Sequence, residues 1–482
     1  MFTEQQSDDR FITISGFNKK GNGIGRILQN PETDISTEIP FTIPGDVFKT
    51  IASLAKKKKQ FFRSENLTTL SESRIAPRCK HFGICGGCRW QQMAYDEQLR
   101  HKEESVRKAF SDMITSDVHF EPIIPCPREW RYRNKMEFSF SGDADHNRYL
   151  GLIMDSSKGR VVNLTECHLV NPWYMSVLES VRKWWLETGL SPYRPCKDSG
   201  SLRTLVLRES MRTGDRLIML TVSGNPDYAL NNKQLESFVQ AVQKEAKPAD
   251  PQSKLSIFLR IQQTAKGMPT NFYEMVLFGP DHMREMLEVQ IHKNEPPQKL
   301  HFQVSPTAFF QPNTGQAELL YSTALQMAGV EEGSVVYDLY SGTGTLGICT
   351  AKKAKAVISI EVSPESALDA RTNAALNSIE NITILSGAVR YLLKQIKEEQ
   401  KHPLPDLVVI DPPRTGIDAE AMQGLLNLEA PKILYISCNP QTQADNIREI
   451  IKNGYRLTAL RAIDQFAQTP HVEVIAVLER NV

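Results

Sequence analysis

The last 180 or so residues constrain the fold most tightly, because short apolar, β-rich runs alternate there with helical patterns. The runs are Val335 to Leu339, Ala356 to Val362, Ile382 to Leu385, Leu407 to Ile410, Ile433 to Ser437 and Val472 to Leu478. That alternation predicts a doubly wound, Rossmann-like sheet, in which ligands bind at the carboxyl ends of the strands. The residues at those ends are therefore the candidates for chemistry.

The first run ends in Asp338-Leu339-Tyr340-Ser341-Gly342-Thr343-Gly344-Thr345, whose glycines let backbone approach a ligand and open a helix. The second run reaches Glu361, about 20 residues on, where a ribose hydroxyl would be bound. The fourth ends in Asp411-Pro412-Pro413-Arg414, a carboxylate before a stiff floor. Amine-methylating enzymes of nucleotides follow a similar Pro-Pro pair with an aromatic, and Arg414 cannot stack in the same way. The fifth run delivers Cys438 into a polar loop started by Asn439-Pro440. A lone strand-end cysteine is more often packing than chemistry, so Cys438 needs support from its surroundings. Glu473 opens the last run at the same edge; alone it reads as an exposed strand-end acid.

Residues 79–88 hold a second signal. Cys79, Cys85 and Cys88 fall within ten residues, in a loop loosened by Gly83, Gly86 and Gly87. Structural zinc takes its ligands as two close pairs, whereas an iron-sulfur cluster accepts three near ligands and one distant one. Cys167 is the expected fourth ligand, with Cys126 and Cys196 as alternatives. The spacing favours iron-sulfur, and His168 beside Cys167 leaves zinc open. Eight cysteines in 482 residues are too few for a disulfide scaffold, which suits a reducing, cytoplasmic setting. The first ten residues lack a secretory pattern, and no stretch has the length of a membrane span.

The length suggests about three domains. Residues 1–75 read as a small β-barrel: a strand at Phe11 to Ser15, a glycine-rich turn at Lys19 to Gly25, and a strand at Glu38 to Val47 with a Pro44-Gly45 turn. From Lys49 to Lys80 nine basic residues (Lys49, Lys56, Lys57, Lys58, Lys59, Arg63, Arg74, Arg78, Lys80) meet two acids, Glu65 and Glu72, a local excess of +7 around Phe61 and Phe62. Such a patch suits RNA, and a solvated connector predicts it equally well. Residues 76–300 read as an α+β middle domain, with an amphipathic helix from Tyr95 to Ile114. Trp130 to Lys135, aromatic and basic in alternation, could hold phosphates and stack a base. Residues 301–482 form the α/β domain.

Taken together, these cysteines, Phe309-Phe310-Gln311, Asp338 to Gly344, Asp411 to Arg414, Ser437 to Pro440 and His471-Val472-Glu473 resemble the RNA (uracil-C5)-methyltransferase family, over nearly the whole chain and in order. The closest resemblance is to the iron-sulfur branch that methylates 23S ribosomal RNA, since the transfer-RNA branch typically lacks both the cluster and the N-terminal barrel. The resemblance implies a TRAM-like RNA-binding barrel and a [4Fe-4S] cluster on Cys79, Cys85, Cys88 and Cys167. It implies S-adenosyl-L-methionine held by Gln311, Tyr340, Gly342, Thr345, Glu361 and Asp411, with Cys438 as nucleophile and Glu473 as base. The expected partner is 23S rRNA, without a membrane, and the expected state is a monomer. Two residues depart from the pattern: Ser341, where members often carry cysteine, and Pro312, where Val-Asn is usual after Phe-Phe-Gln. The rival readings are a transfer-RNA uracil methyltransferase, a cytosine-C5 methyltransferase, for which no ring-protonating acid is evident, and a non-catalytic ribosome-assembly factor.

Overall fold

The computed structural model describes residues 9–27, 37–51, 64–155, 157, 159–264, 267 and 269–481. Its largest sheet has eight strands in the order Ile382–Ser386, Ala356–Glu361, Val335–Leu339, Leu407–Ile410, Lys432–Ser437, Glu473–Arg480, Tyr455–Ile463 and His119–Ile124. All run parallel except Glu473–Arg480, which is antiparallel to both neighbours. Successive residues of one strand enter different cores: Tyr337, Val408 and Ile433 pack on one face, Val336, Val409 and Leu434 on the other. Burial on both faces is why these strands read as unbroken apolar runs. Chain direction across the sheet reverses between Val335–Leu339 and Leu407–Ile410, and this opens the crevice for a ligand.

The sheet borrows from the middle of the chain. Helix Tyr95–Ala109 and the following Phe110 and Met113 pack into one of its cores, and His119–Ile124 extends it as an edge strand. The helix ends five residues before the expected Ile114. The expected boundary at residue 301 falls inside a pair of antiparallel strands, Met283–Val289 and Gln298–Val304, whose apolar side chains belong to the second core.

The middle domain is a six-stranded mixed sheet in the order Asn271–Phe278, Leu255–Gln263, Arg216–Ser223, Leu202–Glu209, Lys135–Gly142 and Arg148–Gly151. Helices Trp173–Thr188 and Asn232–Glu245 cover one face, with Trp184 and Phe238 edge to face at 5.1 Å. Trp130 to Lys135 is mainly a brace, not the base-stacking run its sequence suggests. The Tyr132 hydroxyl donates to the Ala467 carbonyl (2.9 Å), and Asn134 Nδ2 donates to the Gln311 carbonyl and Thr314 Oγ1 (3.0 Å each). Both tie the middle domain to the large sheet.

The N-terminal strands Thr37–Ile39, Gly23–Ile27, Asp9–Phe17, Val47–Ile51 and Leu67–Thr69 form an antiparallel sheet around Ile12, Ile14, Ile39 and Phe48. This five-stranded antiparallel sheet occupies the place of the expected small barrel, and among the described residues Thr37–Ile39 and Leu67–Thr69 are its outer strands. Of the expected basic patch, Lys56 to Lys59, Phe61, Phe62 and Arg63 lie outside the described residues. Arg74 is committed elsewhere: its guanidinium grips Asp46 (2.7 and 3.0 Å) and the Phe41 carbonyl. Among the described residues no helix is long and apolar enough to cross a membrane.

Candidate active site

A cavity of about 1070 Å³ opens at the carboxyl edge of the large sheet. Gln311, Tyr340, Gly342, Thr345, Asp411, Cys438 and Glu473 all line it. Glu361 does not. Its two carboxylate oxygens accept from the backbone N–H groups of Gly342 and Ser363 (2.8 Å each), so in this state it pins the glycine loop to the second strand. That loop is tightly built. Tyr340 holds φ +64°, and Gly344 holds φ +78° where a Cβ would fall 2.9 Å from that of Ala370. Of the two departures, Ser341 has a buried Oγ without a hydrogen-bond partner among the described residues, and the Pro312 carbonyl accepts from the Asn134 N–H (2.8 Å).

Cys438 follows strand Lys432–Ser437 directly, and helix Pro440–Lys452 starts two residues later with Pro440 in its first turn. The thiol therefore sits in the expected loop, here only the two residues Cys438 and Asn439 between strand and helix. Burial raises its pKa first and the Glu473 carboxylate raises it further, while Arg414 opposes both by charge and by a hydrogen bond. Asn439 Nδ2 donates to the Arg414 carbonyl (3.1 Å) and so fastens the arginine to the cysteine's own turn.

Glu473 is only 4% exposed, its backbone belongs to the ladder with Ile463, and its carboxyl has no hydrogen-bond partner among the described residues. Burial, then the nearby Asp411, pushes its pKa well above the usual carboxylate range, against a lowering pull from Arg414. Asp411 is pushed up to about 7 by burial. Asp338, also on the cavity wall, reaches about 7, chiefly through burial and against hydrogen bonds from Gly347 and Ser359. The interior is thus rich in buried carboxyl groups, whereas Lys19, Lys20, Arg89 and Arg133 also contribute to the lining. Buried acids favour a cationic ligand inside, and basic groups favour a polyanion at the mouth.

Four further residues line this space: Arg414, His471, Arg133 and Phe309. Arg414 was set aside because it cannot stack, yet it is the cation beside the thiol. His471 has its pKa lowered to about 4 by burial and then by Arg414, Lys102 and Arg133, so its imidazole is neutral. Arg133 and Phe309, the latter 64% exposed, complete the mouth. Phe309, Arg414 and His471 stand within the sequence motifs, and Arg133 within the aromatic and basic run from Trp130 to Lys135.

Cys79, Cys85, Cys88 and Cys167 line one small separate cavity together with His81, Glu166 and His168. Cys126 is buried elsewhere, donating to the Arg128 carbonyl (3.0 Å), and Cys196 is exposed. Among the described residues no three Cys, His, Asp or Glu side chains converge closely enough to hold a single metal ion.

A parallel sheet with one reversed strand and a carboxylate-rich cavity at its switch point defines an α/β methyltransferase fold. The crystal structure of Pyrococcus abyssi tRNA (uracil-54, C5)-methyltransferase in complex with S-adenosyl-L-homocysteine shares it, with a TM-score of 0.68, 23% identity, and coverage of 97% of this chain and 99% of that one. The family model for tRNA (Uracil-5-)-methyltransferase matches residues 271–481. An uncharacterized RNA methyltransferase of Protochlamydia amoebophila is 52% identical over 441 residues, 92% of this chain and 99% of the relative. Another from Caldanaerobacter subterraneus subsp. tengcongensis is 32% identical over 475 residues, 98% of each. The chain belongs to the RNA (uracil-C5)-methyltransferase family.

Proposed function

We propose that the protein methylates carbon 5 of a uridine in 23S ribosomal RNA, with S-adenosyl-L-methionine as donor. The observation that carries this reading is that Cys438, just past the end of one strand, and Glu473, at the start of its neighbour, line one cavity, with Arg414 beside the thiol. Carbon 5 of uracil is a poor nucleophile. The Cys438 thiolate, its charge offset by Arg414, adds to carbon 6; the ring's π electrons move toward the carbonyl oxygen, and carbon 5 becomes enolate-like. S-adenosyl-L-methionine, when bound, would supply the methyl group that carbon 5 takes, the S–CH3 bond breaking to leave S-adenosyl-L-homocysteine, and its positive charge would return the buried carboxyls toward their ionised forms. The Glu473 carboxylate then takes the carbon 5 proton, the ring double bond re-forms, and Cys438 leaves as a thiolate. A buried carboxylate with a raised pKa is a stronger base than a solvated one, which fits that step. Gln311, Tyr340, Gly342, Thr345 and Asp411 are the proposed donor-holding residues, and Glu361 would join them by exchanging one of its loop contacts for a ribose hydroxyl.

Cys79, Cys85, Cys88 and Cys167 are the proposed ligands of a [4Fe-4S] cluster. Bound there, it would tether the loop around Cys79 to Cys88 to the segment around Cys167; nothing in the methyl transfer requires an electron.

The ribosomal reading rests on this cysteine set and the N-terminal sheet. A transfer-RNA substrate is the second reading, favoured by the full-length likeness to the Pyrococcus enzyme. Unmodified transcripts of 23S rRNA and of tRNA, incubated separately with protein and labelled donor and digested to nucleosides, test both. Labelled 5-methyluridine from 23S rRNA is expected, with none from a Cys438→Ala control that still binds RNA. Label in tRNA alone would select the second reading, and no 5-methyluridine from either would overturn both.

A further inference from the structure

The loop between strands Tyr455–Ile463 and Glu473–Arg480 forms one wall of the catalytic cavity through Phe466, Thr469, Pro470 and His471. At its centre Gln468 is 2% exposed and holds φ +69°, a conformation rare for residues with a side chain. Such backbone persists where its surroundings over-determine it. The Gln468 carbonyl accepts from the N–H groups of Arg89 (3.0 Å) and Trp90 (3.1 Å). Its N–H donates to Gln98 Oε1 (2.9 Å), its Oε1 accepts from Gln98 Nε2 (3.0 Å), and its Nε2 donates to Glu129 Oε2 (3.2 Å). Gln98 Nε2 also reaches the carbonyls of Trp90 and Met93, both at 3.0 Å. Every polar group of Gln468 is thus held by the first third of the chain.

A second observation concerns what holds it. Arg89 and Trp90 follow Cys88 directly, and Gly87, Cys88, Leu152 and Leu169 line both the cysteine cavity and the catalytic cavity. Trp90 Nε1 donates to the Gly21 carbonyl (3.1 Å), and a Cβ on Gly21 would fall 2.9 Å from Pro470 Cγ and 3.0 Å from Arg89 Cγ. The N-terminal sheet, the cysteine-bearing segment and the catalytic loop therefore meet at one junction.

Resting on the methyl-transfer reading above, we propose that Gln468 is a positioning residue that locks the Phe466 to His471 wall to the cysteine-bearing segment and so seats the target base between Cys438 and Glu473. This gives that segment a mechanical part in the reaction. A loosened wall still lets a uridine add to Cys438, but it misaligns carbon 5 with Glu473, so release slows more than addition. Misplacement by about 1 Å costs on the order of a hundredfold in rate.

Gln468→Ala, Gln98→Ala and the double variant test it. Each is expected to lower kcat roughly a hundredfold, leave KM for RNA near wild type, and accumulate a covalent RNA–protein band on a denaturing gel. Iron and sulfide content should stay at wild-type levels. The double variant should be no worse than either single one, because the two amides act as a pair. Gly21→Ala, which crowds the same junction without touching that pair, should give the same band. Wild-type turnover in all of these, or a loss that tracks unfolded protein without an adduct, overturns the inference. A wild-type protein that forms no 5-methyluridine would instead overturn the methyl-transfer reading itself.

Discussion

Cys438 and Glu473 line one cavity, each one residue beyond the Ser437–Val474 pair that ends the antiparallel ladder between Lys432–Ser437 and Glu473–Arg480. The register brings the end of one strand and the start of the other to the same edge of the sheet, so the thiol and the carboxyl reach the same cavity. The reversed strand makes this possible: it starts beside the end of Lys432–Ser437.

Arg414 should set the pH at which the thiol becomes reactive. It lowers the Cys438 pKa against burial and Glu473, so Arg414→Met removes the lowering influence and moves the thiol further up. The thiolate is the attacking form, hence the rising limb of the kcat/KM profile should shift to higher pH, with activity at neutral pH falling. The loss should be largest in acid and partly recovered in alkali. An unshifted limb would remove Arg414 from this role.

Asp411 should make the protein less stable as pH rises. Its folded pKa lies at about 7 against an ordinary 3.8, so between those values the unfolded chain has lost a proton that the folded protein keeps. Stability is therefore lost across that window, by up to about 1.4 kcal/mol per pH unit for one such group. Asp338 adds to the same trend. Asp411→Asn should flatten the decline seen by urea unfolding between pH 5 and pH 8; a slope equal to wild type would refute the assignment.

The buried ion pair below the catalytic loop should be a vulnerable point. Lys102 Nζ donates to Asp464 Oδ1 (2.5 Å) and the Phe466 carbonyl (3.0 Å), both side chains are fully buried, and Tyr95 donates its hydroxyl to Asp464 (2.6 Å). Lys102→Met would leave a buried carboxylate without its cation, at a cost of about 3–5 kcal/mol. Urea unfolding measures it, and Lys102→Met combined with Asp464→Leu should recover most of the loss. A single variant as stable as wild type would contradict this account.

What the sequence reveals follows from how each piece is buried. Leu407–Ile410 and Lys432–Ser437 are legible because both of their faces are covered, which leaves nothing polar to interrupt the run. His119–Ile124 is not legible. It is an edge strand with an exposed His119, and its Glu121 is ion-paired to Arg461 of the neighbouring strand, so its pattern resembles a loop. The strand-end positions of Cys438, Asp411 and Glu473 can be read from the alternation and the motifs. Arg414 and Gln468 cannot, since one acts through a contact across two turns and the other through hydrogen bonds to residues some 370 positions away. The Glu361 contacts escape the sequence for a related reason: a strand-end acid is equally able to hold a ribose or its own loop.

The central claim is that Cys438 forms a bond to the target uracil and that Glu473 breaks it. Glu473→Gln keeps the shape of the side chain but cannot take the carbon 5 proton, so it should stop the reaction after methyl transfer. Mass spectrometry of the protease-digested complex of this variant, RNA and S-adenosyl-L-methionine is the direct measurement. The account predicts a peptide containing Cys438 that carries a methylated uridine nucleotide. Absence of any adduct, or an adduct on a different residue, would contradict it.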